Sequence, residues 1–243
     1  MKYIQAVRDI LDHLETTELS AIDHAADLVV QSLSNGGIIY CYEIGHANQH
    51  DFLNRAGGLA AVQSFNFSFT VTDPTPEVLK NRPGGSELDR DLEVVRLAVK
   101  TSNLRAGDVL LLGSVSGKNR VPVELGLVCK EIGVKVIAFT SMVYTAQVES
   151  LHPSGKKLCD VSDVVIDNGA PYGDAACEIP GLSVSALPVS GVGAIVAGWM
   201  LWEAVIEKMI EAGTPPTVFQ SFNRAGGPEF YQQMKDQYEK RGY

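Results

Sequence analysis

Gly107-Asp108-Val109-Leu110-Leu111-Leu112-Gly113-Ser114-Val115-Ser116-Gly117-Lys118-Asn119 is the stretch on which the fold turns. Val109, Leu110, Leu111 and Leu112 form an apolar run without polar alternation, the pattern of a central parallel strand covered on both faces, and Gly113 ends it. A hydroxyl-rich turn follows, and residues 120–132 carry helical periodicity. Asn119 suits an N-cap, and Pro122 falls within the first turn, where its missing N–H costs little. Backbone amides of such a turn and of the helix N-terminus converge on one point, where hydrogen bonds and the helix dipole both favour an anion. The turn therefore reads as a phosphate cradle, the plain alternative being a capped strand-to-helix turn with no ligand. Crowding of hydroxyls favours the cradle, since one serine would suffice to cap. The glycines are too few and wrongly spaced for G-x-x-x-x-G-K-S/T or G-x-G-x-x-G, so a small phosphate ester fits better than a nucleotide.

Outward from this stretch, apolar residues recur at helical spacing over Tyr3, Ile4, Val7, Ile10, Leu11 and Leu14. They do so again over Ile22, Ala25, Ala26, Val29, Val30 and Leu33, predicting two amphipathic helices or one that bends near Thr16-Thr17. Residues 38–44 read as a first strand, Gly45-His46-Ala47-Asn48 as its turn, and the following residues to about Arg55 as a helix. Alternating Val62, Phe65, Phe67 and Phe69 predict a strand over 61–70. The Pro- and Gly-rich 73–85 region reads as a loop, and Leu88, Leu92, Val95 and Val99 as a helix. Residues 134–139 and 164–167 read as strands, 144–151 as a short helix and 168–188 as irregular. A long apolar helix over 191–212 and a tail helix from about Pro228 complete the chain.

Alternating strands and helices specify an α/β fold, a three-layer α-β-α sandwich on a doubly wound, mainly parallel five-stranded sheet. Ligands of such sheets sit beyond the strands' carboxyl ends, at the switch point. Three proposed strands end there in polar turns, at 45–48, 114–119 and Thr140-Ser141. The expected organisation is one structural domain: helices 1–34 on the core or a dimer interface, a core over 35–213, and a tail over 214–243. The 191–212 helix is apolar nearly all round, so it is deeply buried or part of a subunit interface, and the interface is favoured.

The 243 residues suit a single substantial core. Lys+Arg 20 against Asp+Glu 29 gives a net charge of −9, which argues against broad nucleic-acid or membrane-surface binding while leaving room for a local phosphate pocket. Cys41, Cys129, Cys159 and Cys177 are scattered without a C-x-x-C and read as free thiols. The first residues lack the apolar stretch of a signal peptide, and the 192–202 run covers only half of the ~20 residues a membrane helix needs. A cytoplasmic location is expected.

The segment 106–141, with its G-D-V-L-L-L-G-S-x-S-G run and the later Gly133-Val134-Lys135-Val136-Ile137-Ala138-Phe139-Thr140, resembles the sugar isomerase (SIS) domain. Within that superfamily the chain looks most like the phosphoheptose-isomerase-like proteins, a group without an assigned substrate. Gly45-His46, Arg55-Ala56-Gly57-Gly58-Leu59, His152-Pro153-Ser154-Gly155-Lys156-Lys157-Leu158 and Pro171-Tyr172-Gly173-Asp174-Ala175 carry that resemblance. It implies a homodimer or higher oligomer that binds phosphorylated sugars. Phosphate contacts would fall on Ser114, Ser116 and Asn119, with backbone help from Val115, Gly117 and Lys118; Thr140 and Ser141 join them as hydroxyls at the next strand's end. Departures are also visible. The family's first loop reads G-x-G-x-S, whereas Glu43 stands here at the first glycine and Ala47 at the serine. The 191–212 helix lacks the family's catalytic histidine.

Aldose–ketose isomerisation needs a base that moves a proton between adjacent carbons and an acid at the enediol oxygens. Asp51, aligned with the family's helical carboxylate, is the first candidate base, and Glu124, one turn into the helix after the cradle, is a second. His46 and His152 are candidate acids, or ligand contacts donated across an interface. Each has a plain alternative as an ordinary surface or helix-terminal residue. His46, His50 and Asp51 have a conceivable metal spacing but no convincing fourth ligand, so no metal or other cofactor is expected. The chain is expected to be a phosphosugar-binding protein and a heptose-phosphate-like isomerase, or a sugar-phosphate sensor or regulatory partner without turnover.

Overall fold

The computed structural model describes residues 1–47, 49–83 and 88–243. Asn48 of the first polar turn and Gly84 and Gly85 of the 73–85 loop lie outside the described residues. Strands β1 (Ile39–Ile44), β2 (Val62–Ser64), β3 (Val109–Gly113), β4 (Lys135–Thr140) and β5 (Val164–Asp167) form one sheet in the order β2-β1-β3-β4-β5. Every pairing is parallel. The order reverses between β1 and β3, so their carboxyl ends flank the switch-point crevice.

On one face lie helices α1 (Lys2–His13), α2 (Leu19–Ser34) and α7 (Ser190–Glu211), packed with Ile39, Cys41, Leu111, Ile137 and Ile166. On the other lie α3 (Arg90–Thr101), α4 (Arg120–Ile132) and the short α6 (Leu158–Val161), packed with Leu110, Leu112, Val136 and Ala138. All five β3 residues are buried, as an unalternating apolar run between two helical layers requires.

Between α1 and α2 the chain does not break. Thr16 and Thr17 return their hydroxyls to the carbonyls of Asp12 (2.6 Å) and His13 (2.8 Å), and a π-helical turn, Leu14–Glu18, joins the two helices. Hydroxyls competing for those carbonyls account for the wider turn. Helix α4 covers the predicted residues and ends on Gly133 at φ 80°, a left-handed cap. Asn119 occupies its N-cap position, but no hydrogen bond from its side chain caps the helix.

Several boundaries differ from the sequence expectation. The predicted 61–70 strand ends at Ser64; beyond it Phe65 meets Tyr40 edge-on at 6.1 Å and Phe67 stacks on Tyr42 at 5.5 Å. Phe65 and Phe67 thus build a cluster over β1, not a longer ladder, and Phe69 is exposed. In place of the helix expected up to Arg55 there is one 3-10 turn, Gln49–Asp51, after which Phe52 inserts between Trp199 and Trp202 of α7. Gly198 permits that insertion, since a Cβ there would collide with the Phe52 ring. The 73–85 loop contains a 3-10 turn, Glu77–Leu79. The 144–151 helix is confined to α5 (Met142–Thr145). The region read as irregular holds an antiparallel pair, β6 (Ala175–Cys177) and β7 (Ala186–Pro188). Helix α8 (Gly227–Arg241) closes the chain.

Among the described residues α7 alone is long and apolar enough to cross a membrane by length and composition. Here it packs along α2, with Gly193, Ala194, Ala197, Leu201 and Trp202 buried.

Candidate anion site at the switch point

In the 114–119 turn, carbonyls and amides are sorted to opposite sides. The Ser114 carbonyl accepts the Thr140 hydroxyl (2.7 Å), that of Val115 accepts the Ser141 amide (2.9 Å), and that of Ser116 accepts the Thr145 hydroxyl (3.1 Å). The carbonyls of Gly117 and Lys118 accept the amides of Leu158 (2.8 Å) and Leu151 (3.0 Å). A trans peptide is planar, with its C=O and the next residue's N–H opposed. Fixing five successive carbonyls from behind therefore aims the N–H groups that follow them forward, that of Gly117 excepted. Gly117 N–H closes the turn onto the Ser114 carbonyl at 3.0 Å. Among the described residues the amides of Val115, Ser116, Lys118 and Asn119 meet no acceptor. Four forward amides beside a helix N-terminus, one of them from the half-buried Ser116, make the turn a candidate seat for an anion.

Gly117 sits at φ 64°, and a Cβ there would lie 2.9 Å from Thr145 Oγ1 and 3.2 Å from Thr140 Oγ1. Only glycine allows the turn to rest on these hydroxyls. Thr140 and Ser141, expected to contact phosphate, have no solvent exposure, and their hydroxyls bond the Ser114 and Ala170 carbonyls. This corrects their expected role: they brace the turn from behind.

The turn after β1 touches the seat. At Gly45 (φ 60°) a Cβ would lie 3.2 Å from Val115 Cγ2, so this turn can pack there only without a side chain. The next residue, His46, has a side chain 71% exposed, with Nδ1 3.2 Å from Asp174 Oδ2. Asp174 is 6% exposed and serves as a remote cap for α7. Its Oδ1 accepts the amides of Val189 (3.1 Å) and Ser190 (2.8 Å), and its Oδ2 accepts the Ser190 hydroxyl (2.6 Å). With those protons already directed at the carboxylate, His46 Nδ1–H is the donor to Oδ2, which leaves Nε2 as the basic nitrogen. Sequence reasoning placed Asp174 only in a family segment, because its partner lies 128 positions away.

The other three acid–base candidates are placed differently. Glu124 and His152 have side chains 2% and 5% exposed and are bonded to each other, Oε2 to Nε2, at 2.9 Å. Glu124 Oε1 also pairs with Arg96 Nε at 2.5 Å. Burial alone would lower the Arg96 pKa, but the charges of Glu124 and Glu131 outweigh it and push it up. Enclosed in this way, Glu124 and His152 are not open to solvent in this chain, in contrast to the exposure that roles as acid and base call for. Asp51 pairs with Arg55 Nη1 at 2.5 Å. Among the described residues no hydrogen bond or ion pair joins Asp51 to the seat.

A family model for the SIS domain matches residues 2–141, more than half of the chain. The chain belongs to the SIS domain family. A UPF0309 protein of Halalkalibacterium halodurans is 35% identical over 242 residues, covering 98% of this chain and 97% of that one. Another, of Listeria innocua, is 32% identical over 241 residues, covering 98% and 95%. Among solved structures, a phosphoheptose isomerase from Neisseria gonorrhoeae superposes with a TM-score of 0.49 at 20% identity, over 83% of this SIS protein and 94% of that chain.

Proposed function

We propose that this SIS protein binds a phosphorylated sugar with its phosphate on the 114–119 seat, and that His46 transfers the proton in an aldose–ketose isomerisation. The observation carrying the binding half is the sorting of the turn, with five carbonyls tied back and four amides forward. A phosphate dianion takes several N–H donors at once, and the helix dipole adds to their attraction. Held at one end, the sugar is oriented against the neighbouring turn, where Gly45 brings His46 alongside. His46 Nε2 takes the proton from the carbon next to the carbonyl and returns it to the adjacent carbon, and Asp174 stabilises the imidazolium between the two steps. Proton exchange at the two oxygens runs through solvent, to which His46 is open. A homodimer or higher oligomer, to which the exposed side of α7 would contribute, belongs to the same proposal.

A second reading, binding without turnover, is favoured by the burial of Glu124 and His152. It leaves His46 as the one exposed candidate of the four with a structural link to the seat. The two readings separate in one experiment. Fructose 6-phosphate and sedoheptulose 7-phosphate are titrated by calorimetry, then incubated with the protein in D2O and followed by proton NMR. The isomerase reading predicts binding with deuterium entering the carbon beside the carbonyl, and a loss of at least ~100-fold in that rate in His46→Gln with affinity retained. Binding without deuterium uptake selects the sensor, and no binding of either ester overturns the proposal.

A further inference from the structure

We propose that Glu124 and His152 are positioning residues that aim two of the seat's four amides, those of Lys118 and Asn119. The inference rests on the seat being a phosphate site, but it concerns residues that no phosphate touches.

Residues 150–158 form the wall behind one side of the turn. Leu158 N–H fixes the Gly117 carbonyl and Leu151 N–H fixes the Lys118 carbonyl. Through peptide planarity these two bonds set the directions of the Lys118 and Asn119 amides. The directions of Val115 and Ser116 N–H are set separately, by Thr140 and Ser141.

Within the wall the pivot is His152. Its Nδ1 receives the Ser154 N–H at 3.1 Å and lies 2.7 Å from Ser154 Oγ. An Nδ1 that accepts an amide proton carries none itself, so Nε2–H donates to Glu124 Oε2. Glu124 projects from the first turns of α4, the helix that the seat opens. The Glu124–His152 bond therefore joins the wall to the helix that follows the two peptides it aims. Arg96 supplies the positive charge that pairs with this carboxylate, which is only 2% exposed, through Oε1. Other bonds of the wall, among them Ser150 Oγ to the Lys156 carbonyl, the His152 amide to Ser150 Oγ and Lys157 Nζ to the Thr145 carbonyl, shape it without reaching α4.

The test is an amide-resolved NMR titration with inorganic phosphate and with fructose 6-phosphate, on the wild type, His152→Ala and His152→Gln. Val29→Ala, in the opposite layer, serves as a control for general destabilisation. In His152→Ala the phosphate-induced shifts of Lys118 and Asn119 are expected to collapse while those of Val115 and Ser116 persist, with affinity falling about tenfold. The glutamine variant, whose Nε2 can still donate to Glu124, is expected to recover most of both. Where His152→Ala does not fold, Glu124→Gln replaces it, with a two- to fivefold weakening and the same selectivity expected. Unchanged shifts at all four amides, or an equal loss in Val29→Ala, overturns the inference while the phosphate site stands. A wild type that responds at none of the four overturns the site itself, and the inference with it.

Discussion

Thr140 donates its hydroxyl to the Ser114 carbonyl across 2.7 Å, from a position with no solvent exposure. The peptide it grips is the one whose N–H, on Val115, faces the seat. Thr140→Val keeps the shape and removes the donor, so a buried carbonyl loses its best partner. The variant should be destabilised by about 1–3 kcal/mol in a urea titration and should bind sugar phosphate more weakly.

Gly117 holds the left-handed conformation against Thr145 and Thr140. In Gly117→Ala the backbone penalty is about 1–2 kcal/mol before any steric cost, so thermal unfolding should move down by several degrees. Phosphate-ester binding should be lost while the far-ultraviolet circular dichroism stays that of the wild type.

Asp174 joins His46 to the start of α7. Asp174→Ala removes both functions: loss of the remote cap should cost about 0.5–2 kcal/mol of stability. Asp174→Asn retains an acceptor for the Val189 and Ser190 amides and should be far milder in stability. It should nevertheless change the His46 ring: nitrogen-15 spectra are expected to show a proton on Nδ1 in the wild type and a shift toward Nε2 in the variant.

Burial pushes the thiols of Cys41 and Cys129 up to about 12, so almost no thiolate forms at neutral pH. Cys177 is buried as well, and Cys159 is the half-buried thiol. Ellman's reagent at pH 8 should titrate one thiol per native chain, and four after unfolding.

Arg120, at the start of α4, bonds Asp91 of α3 through Nε at 2.6 Å and holds that carboxyl below its ordinary 3.8. A depressed carboxyl contributes stability above its unfolded value and loses it as pH falls through the folded one. Arg120→Gln should therefore reduce the stability difference between pH 6 and pH 3. The effect should be small and salt-sensitive, since the Asp91 side chain is 41% exposed.

The parts of this fold legible in the sequence are those where local pattern and burial agree. Val109, Leu110, Leu111 and Leu112 lie between two helical layers, and an unalternating apolar run says so directly. Phe65, Phe67 and Phe69 misled because alternation marks any half-covered extended chain; after Ser64 the segment packs Phe65 and Phe67 on Tyr40 and Tyr42 and leaves Phe69 exposed instead of continuing the ladder. At the site, the turn was visible as serines and glycines, but its polarity depends on Thr140, Ser141, Thr145, Leu151 and Leu158, which meet it only in three dimensions. For the same reason two buried partners 28 positions apart, Glu124 and His152, looked like independent catalytic candidates.

The most direct test of the account compares fructose 6-phosphate with fructose in an amide-resolved NMR titration of the wild-type protein. Downfield shifts of the Val115, Ser116, Lys118 and Asn119 amides with the ester, and none with the free sugar, are the predicted result. An ester that leaves these four amides unmoved, or a free sugar that shifts them equally, would contradict it.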